Sequence, residues 1–136
     1  ATTDAALDPA LWEGVSIPEI LAETIPFLIA SYEQRRGLMR AFLVQAGNDP
    51  TFAEKAIRVG DHLASRVREL LLVRKDEIRH PDPASAIDFG LRVVLGALDQ
   101  KTLFPMTEQN AAILNPEFMG PELTRLYLNY LGVAAA

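Results

Sequence analysis

Any chemistry in this chain has to come from a few ionisable side chains, because it has no cysteine and only two histidines. The most suggestive spacing is Glu77-Ile78-Arg79-His80, the Glu-x-x-His pattern of di-iron helix bundles. That chemistry needs a second such motif and two further glutamates, all facing one bundle core. The single copy stands at a helix end just before Pro81. There His80 reads as a cation opposing a helix dipole, not as a ligand. No glycine-rich phosphate loop and no His-Glu-x-x-His stretch occurs. No metal site, no cofactor and no enzymatic activity are therefore expected.

Three other polar groupings invite a functional reading. His62 and Arg66 lie one turn apart at the margin of an apolar helix face. They are either polar anchors of a ligand pocket or rim residues whose stems cover the core edge while their tips stay wet. Asp88 and Arg92 are spaced for an intrahelical ion pair worth a few tenths of a kcal/mol. Arg35, Arg36 and Arg40 form a basic corner with Glu33 as a local partner. The chain as a whole is acidic, at −5, which argues against a nucleic-acid contact there.

The elements that must position these groups are helices. At 136 residues and 49% hydrophobic composition, residues 1–136 make one domain with an ample core. No apolar run reaches the roughly 18 residues of a membrane span. Ala1 to Pro9 contains two aspartates and no basic residue, unlike a signal peptide. A cytoplasmic protein without membrane contact is expected. Ser16-Ile17-Pro18-Glu19 has the form of a capping box, and Asp49-Pro50, Asp82-Pro83 and Asn115-Pro116 each pair an N-cap with proline at the first helical position. No strand-like alternation appears. The prediction is an all-α bundle of about six helices: a short piece ending near Trp12, then helices near 17–34, 38–48, 50–77, 83–104 and 121–131, with a long loop from Pro105 to Gly120 that has room for another turn of helix. Pro26 should kink or break the first long helix. Leu38, Met39, Phe42, Leu43 and Ala46 should face inward from the second, and the third should be apolar along one side from Phe52 to Leu71.

The helix over 83–104 has almost no face meant for water. On a helical wheel Asp88, Arg92 and Asp99 form one narrow polar strip. Ala86, Gly90, Val93 and Ala97 make a small-residue face beside a bulky one of Ile87, Leu91, Val94 and Leu98. A surface helix needs one apolar stripe; this one has two. The last helix repeats the pattern with Leu123, Leu126, Tyr127 and Tyr130. The surplus predicts an isologous homodimer through 83–131, with Ala86, Gly90, Val93, Ala97, Leu123, Leu126, Tyr127 and Tyr130 as candidate interface residues. Whether the small face meets the partner or the chain's own core stays open, and burial of both helices in a monomeric bundle is the alternative. A second expectation is a site for a small, largely apolar effector inside each subunit. Phe27, Tyr32, Met39, Phe42 and Phe89 would supply its walls, and Tyr32, Gln45, His62 and Arg66 would orient the ligand. The competing reading is a dry core filled by the same side chains.

Taken in order, Asp8-Pro9-x-x-Trp12-x-Gly14-x-Ser16, Tyr32, Gly37-Leu38-Met39-Arg40-Ala41 and Asp49-Pro50 resemble the ligand-binding region of TetR/AcrR-type transcriptional regulators. Asp76-Glu77-Ile78, His80-Pro81-Asp82-Pro83, Ala86, Leu95-Gly96-Ala97-Leu98, Glu122-Leu123 and Leu131-Gly132 continue the likeness over nearly the whole chain. The resemblance implies an all-helical domain that dimerises through its last two long helices and holds an effector pocket among the preceding ones. It implies the effector-sensing part of a bacterial one-component regulator, a repressor released from DNA by its ligand. The family's N-terminal helix-turn-helix is not in the sequence. Residues 1–15 correspond to the tail of the connecting helix and a loop, so DNA binding would belong to a part outside this chain. Two other classes compete: a stand-alone helical dimerisation or adaptor domain, and a small helical-bundle enzyme, which would need inward-facing ionisable groups in a cleft.

Overall fold

The computed structural model describes residues 2–104 and 107–134. Among them the chain forms seven α-helices and two 3-10 turns, with no strand. The helices are α1 (Thr2–Ala6), α2 (Ile17–Gln34), α3 (Arg36–Asn48), α4 (Pro50–Leu72), α5 (Pro83–Leu103), α6 (Glu108–Ile113) and α7 (Pro116–Leu131). The 3-10 turns are Pro9–Trp12 and Lys75–Glu77. The all-α bundle expected from the sequence is what forms.

The proline-marked starts work as capping physics requires. Asp49 Oδ1 accepts from the Thr51 and Phe52 amides at 3.0 and 3.3 Å. Asp82 Oδ1 accepts from Ser85 N at 3.3 Å, and Asn115 Oδ1 from Glu117 N at 2.8 Å. Each such cap is worth about 1 kcal/mol. The Asn115-Pro116 pair starts α7 five residues earlier than expected, with Pro121 carried inside the helix, and α6 occupies part of the expected loop. Pro105 and Met106 of that loop lie outside the described residues. Ser16 does not complete a capping box: its hydroxyl donates to Glu19 Oε1 at 3.0 Å, and the Ile17 amide instead donates to Glu77 Oε1 at 3.2 Å. This explains why α4 stops at Leu72 and not at 77. Arg74 turns back to the carbonyls of Val15 and Trp12, and Glu77 reaches the start of α2. The Pro26 position did not break α2, which runs unbroken to Gln34.

The core lies between α2, the second half of α4, α5 and α7, with Ile17, Ile20, Ile25, Leu70, Ile87 and Leu131 almost fully enclosed. The close approach of α5 and α7 is made possible by Gly90. A Cβ there would stand 2.4 Å from Tyr127 Cε1 and 2.7 Å from Cδ1. The Tyr127 hydroxyl donates to the Ile87 carbonyl at 2.5 Å. Four candidate interface residues, Ala86, Gly90, Leu123 and Tyr127, are thus buried within the subunit, and Ala97 packs partly against the same core. Ala86, Gly90 and in part Ala97 of the small face serve the chain's own core, where only a residue without a side chain accommodates the Tyr127 ring, while Val93 stays exposed.

The α3–α4 hairpin is built differently. No residue from Arg36 to Leu63 is buried. Leu38 is 68% and Ile57 61% exposed, contrary to the inward positions expected for them. Phe42 and Phe52 meet edge to face at 5.1 Å and join the two helices locally.

Gly90→Ala should destabilise the fold by about 1–3 kcal/mol through overpacking against Tyr127. Gly96 on the same helix has nothing within 4 Å of a built Cβ. Gly96→Ala should therefore gain up to about 1 kcal/mol of helix propensity. Urea unfolding of the two variants checks the contrast.

Candidate functional site

Because the hairpin does not close onto the core, a cleft of about 500 Å³ opens between α2, α3, α4 and α5. Leu28, Ser31 and Tyr32 line it from α2, Arg35 from the junction that follows, and Met39, Phe42 and Leu43 from α3. Ala56, Ile57, Val59, Gly60 and Leu63 come from α4, and Leu95 and Asp99 from α5. The volume is within the usual range of small-molecule sites, roughly 300–1,000 Å³, and the wall is mostly apolar with few polar groups, as such sites are.

Two tethers hold the floor. The Tyr32 hydroxyl donates to Asp99 Oδ1 at 2.9 Å. One residue further along α2, Glu33 pairs with Lys101, whose side chain is buried. Together they pin the end of α2 to the end of α5. Burial pushes the Tyr32 hydroxyl pKa far up, with the Asp99 charge and the hydrogen bond to it adding to the effect. Tyr32 therefore remains protonated and a donor. Burial raises the pKa of Asp99 above its usual 3.8, and the Tyr32 hydrogen bond opposes the rise only in part. Asp99 has no Lys, Arg or His nitrogen within 4.0 Å among the described residues.

Of the eight residues expected to bind a ligand, the structure brings Tyr32, Met39 and Phe42 together in the cleft. The other five lie elsewhere. Gln45 is exposed on α3. Phe27 borders another, apolar cavity of only about 30 Å³ between α1, α2, α4, α5 and α7, room for about one water. Phe89 is exposed beside α7, its ring 5.7 Å from Tyr130. His62 and Arg66 point to α1: His62 Nε2 is 2.9 Å and Arg66 Nε 3.9 Å from Asp4 Oδ1. They tie the N-terminal helix to α4, on a face away from the cleft lining. The residue missed is Asp99. Its polar character on the helix was visible, but nothing in the sequence pairs it with Tyr32, 67 positions away.

Other polar groups also find partners different from those expected. Asp88 and Arg92 do not pair side chain to side chain within α5. Arg68 Nε donates to Asp88 Oδ1 at 3.0 Å, and Arg92 Nη2 to Asp61 Oδ1 at 3.4 Å, so both rungs cross from α4 to α5. Glu33 serves Lys101 instead of the basic corner, and Arg40 Nη1 donates to the Leu103 carbonyl at 2.7 Å. His80 is not on a helix end: it follows the second 3-10 turn, and its Nδ1 accepts from Asp82 N at 3.0 Å. Among the described residues no cluster of His, Cys, Asp or Glu could hold a metal ion, and no helix is long and apolar enough to cross a membrane.

A second surface lies on the other margin of α5. Phe89 and Val93 with Leu126 and Tyr130 of α7 are all large, apolar and 41–61% exposed. They border a shallow apolar groove floored by Gly90, Val94, Leu123 and Tyr127. These four rim residues include three of the expected interface set, Val93, Leu126 and Tyr130. Comparison of the chain with protein-family profiles, with characterised proteins and with solved structures yields no match.

The Asp99 environment has a consequence for stability against pH. Its folded pKa is raised, so between 3.8 and that higher value the native state holds more proton than the unfolded chain. Stability attributable to this group then falls as pH rises through the window. Asp99→Asn, which keeps an acceptor for Tyr32, should leave the protein at least as stable as the wild type at pH 7. Any gain should vanish below pH 3.8, where the wild-type carboxyl is protonated in both states. Thermal melts of the two proteins from acid to neutral pH check the sign.

Proposed function

We propose that this chain is the effector-sensing and dimerisation domain of a one-component transcriptional regulator of the TetR/AcrR type. The observation that carries the reading is the open, mostly apolar cleft between α2, α3, α4 and α5, formed within one subunit and separate from the exposed apolar stripe on α5 and α7. A sensor of this kind needs two such surfaces, one for a small molecule and one for a second copy. Symmetric apposition of α5 and α7 with their counterparts would give a four-helix bundle across a two-fold axis and bury Phe89, Val93, Leu126 and Tyr130. An effector in the cleft would bias the placement of the α3–α4 hairpin. Helix α4 also carries His62, hydrogen-bonded to Asp4 of α1, and Arg66, whose charge lies 3.9 Å from the same carboxylate. A shift of α4 would thereby reach α1 and, through it, a DNA-binding segment joined to that end. In this reading the parent is a repressor released from DNA, acting in the cytoplasm without cofactor or catalysis.

Sedimentation at micromolar concentration should give twice the 15.0 kDa chain mass. Leu126→Glu should return it to the monomer, since a charge in the middle of a standard interface of about 1,600 Å² has no partner there. A monomeric wild type would remove the dimerisation half of the proposal. In a thermal-shift screen of small hydrophobic compounds, a ligand at 100 times its Kd should add about 2.7 kcal/mol of stability. Phe42→Ala should lose more of that gain than Phe104→Ala, which lies outside the cleft. Equal losses would remove the sensing half.

A further inference from the structure

We propose that the cleft selects an amphiphilic cation, an apolar body bearing a protonated amine, and that Asp99 receives the ammonium group. The inference rests on the reading of the cleft as an effector site and narrows it to a ligand class. Asp99 is the one carboxylate in the cleft lining. One of its oxygens takes the Tyr32 hydroxyl at 2.9 Å, and no protein hydrogen bond is made to the other among the described residues. Two of the neighbouring cations are committed, and the third is solvated. Lys101 is held by Glu33, and Arg40 by the Leu103 carbonyl. Arg35 borders the cleft but is exposed to solvent.

Consider each ligand class against this arrangement. A wholly apolar occupant would strip water from a half-buried carboxylate and return nothing to it, which is unfavourable for any charged group. An anion would be set against Asp99 in the lower-dielectric interior, while its attraction to the exposed Arg35 would be screened by water. A primary ammonium supplies three donors and a compensating charge at the point where burial already disfavours the carboxylate. The rest of the wall, including Leu43, Ile57, Leu63 and Leu95, asks for an apolar body. Phe42 and Tyr32 are the aromatic members of the same lining, and aromatic rings attract cations placed over their faces.

The test uses three fluorescent probes built on one naphthylhexyl skeleton: the primary amine, the primary alcohol and the carboxylic acid. Binding to the full chain is titrated at neutral pH, where an alkyl amine is protonated. The expected result is that the amine binds at least tenfold tighter than the alcohol and that the acid binds weakest. Asp99→Asn should remove the preference for the amine and leave the alcohol within about twofold, whereas Phe42→Ala should weaken amine and alcohol alike. If Asp99→Asn failed to fold, the ranking of the three probes on the wild type would still decide. An amine no tighter than the alcohol, or an amine preference that survives Asp99→Asn, overturns this inference and leaves the cleft as an effector site. Binding led by the acid overturns it in favour of Arg35 as the selecting group. If none of the probes binds, or if Phe42→Ala changes nothing, this inference and the effector-site reading fall together.

Discussion

The contact between Gly90 and the Tyr127 ring sets the orientation of everything around it. A ring packed onto a backbone with no Cβ in the way brings α7 against α5 at one rotation of each helix. The Tyr127 hydroxyl then locks that rotation through the Ile87 carbonyl. With Ala86, Gly90 and Val94 turned inward, the helical period leaves Phe89 and Val93 on one margin of α5 and Leu95 and Asp99 on the other. One margin joins the exposed face of α7 and the other becomes the floor of the cleft. A change that turned α5 by one residue would displace both surfaces together. The far end of α7 is held independently: Leu131 O accepts from the Arg79 and His80 amides, both at 3.1 Å, and Gly132 closes the helix at φ 71° beneath Arg79.

Against this rigid α2–α5–α7 body, the α3–α4 hairpin is attached by contrast rather than by extension of the core. Helix α4 changes character along its length: Ala64, Val67, Leu70 and Leu71 are buried, while nothing earlier in it is. Its first half therefore has a firm anchor at one end and a largely solvated partner, α3, at the other. Segments with few buried apolar contacts open at lower free energy than the body that carries them. The Tyr32–Asp99 and Glu33–Lys101 tethers lie at the boundary between the two regimes. They hold the base of the cleft, while the hairpin wall has few buried apolar contacts and is joined to α5 by Arg92–Asp61 and by Arg40 on the Leu103 carbonyl.

Much of the architecture was legible because it depends on local signals. Asp49-Pro50 and Asp82-Pro83 cap the helices where the residues said they would. The excess apolar surface of α5 was real, but its division was not readable: periodicity identifies an apolar residue and cannot tell which of two neighbours covers it. From the sequence Gly90 could face a partner or the chain's own core, and it proved to be a seat for Tyr127. The end of α4 was misplaced because its termination depends on Glu77 and Arg74 reaching residues about 60 positions earlier. The candidate site was legible only in part. Met39 and Phe42 are one turn apart on α3 and their proximity follows from helix spacing, but Tyr32 and Asp99 meet them only through the packing of α2 and α5 against α3. His62 and Arg66 were placed at the margin of an apolar face correctly, yet the choice between ligand and Asp4 was decided by where α1 lies.

The absence of any buried residue between Arg36 and Leu63 also bears on how such a domain can change over generations. Core substitutions typically cost a protein a large fraction of its marginal stability, whereas surface ones mostly cost little. Most of the cleft's α3 and α4 wall lies between the two kinds, half-buried and not enclosed, with Ile57 and Val59 exposed. Recognition can therefore drift here at less cost to foldability than in the core, with new side chains sampled on one hairpin while the α2–α5–α7 body stays unaltered. For the same reason the wall is a suitable place to randomise in a library: variants there should differ in what they hold far more than in whether they fold.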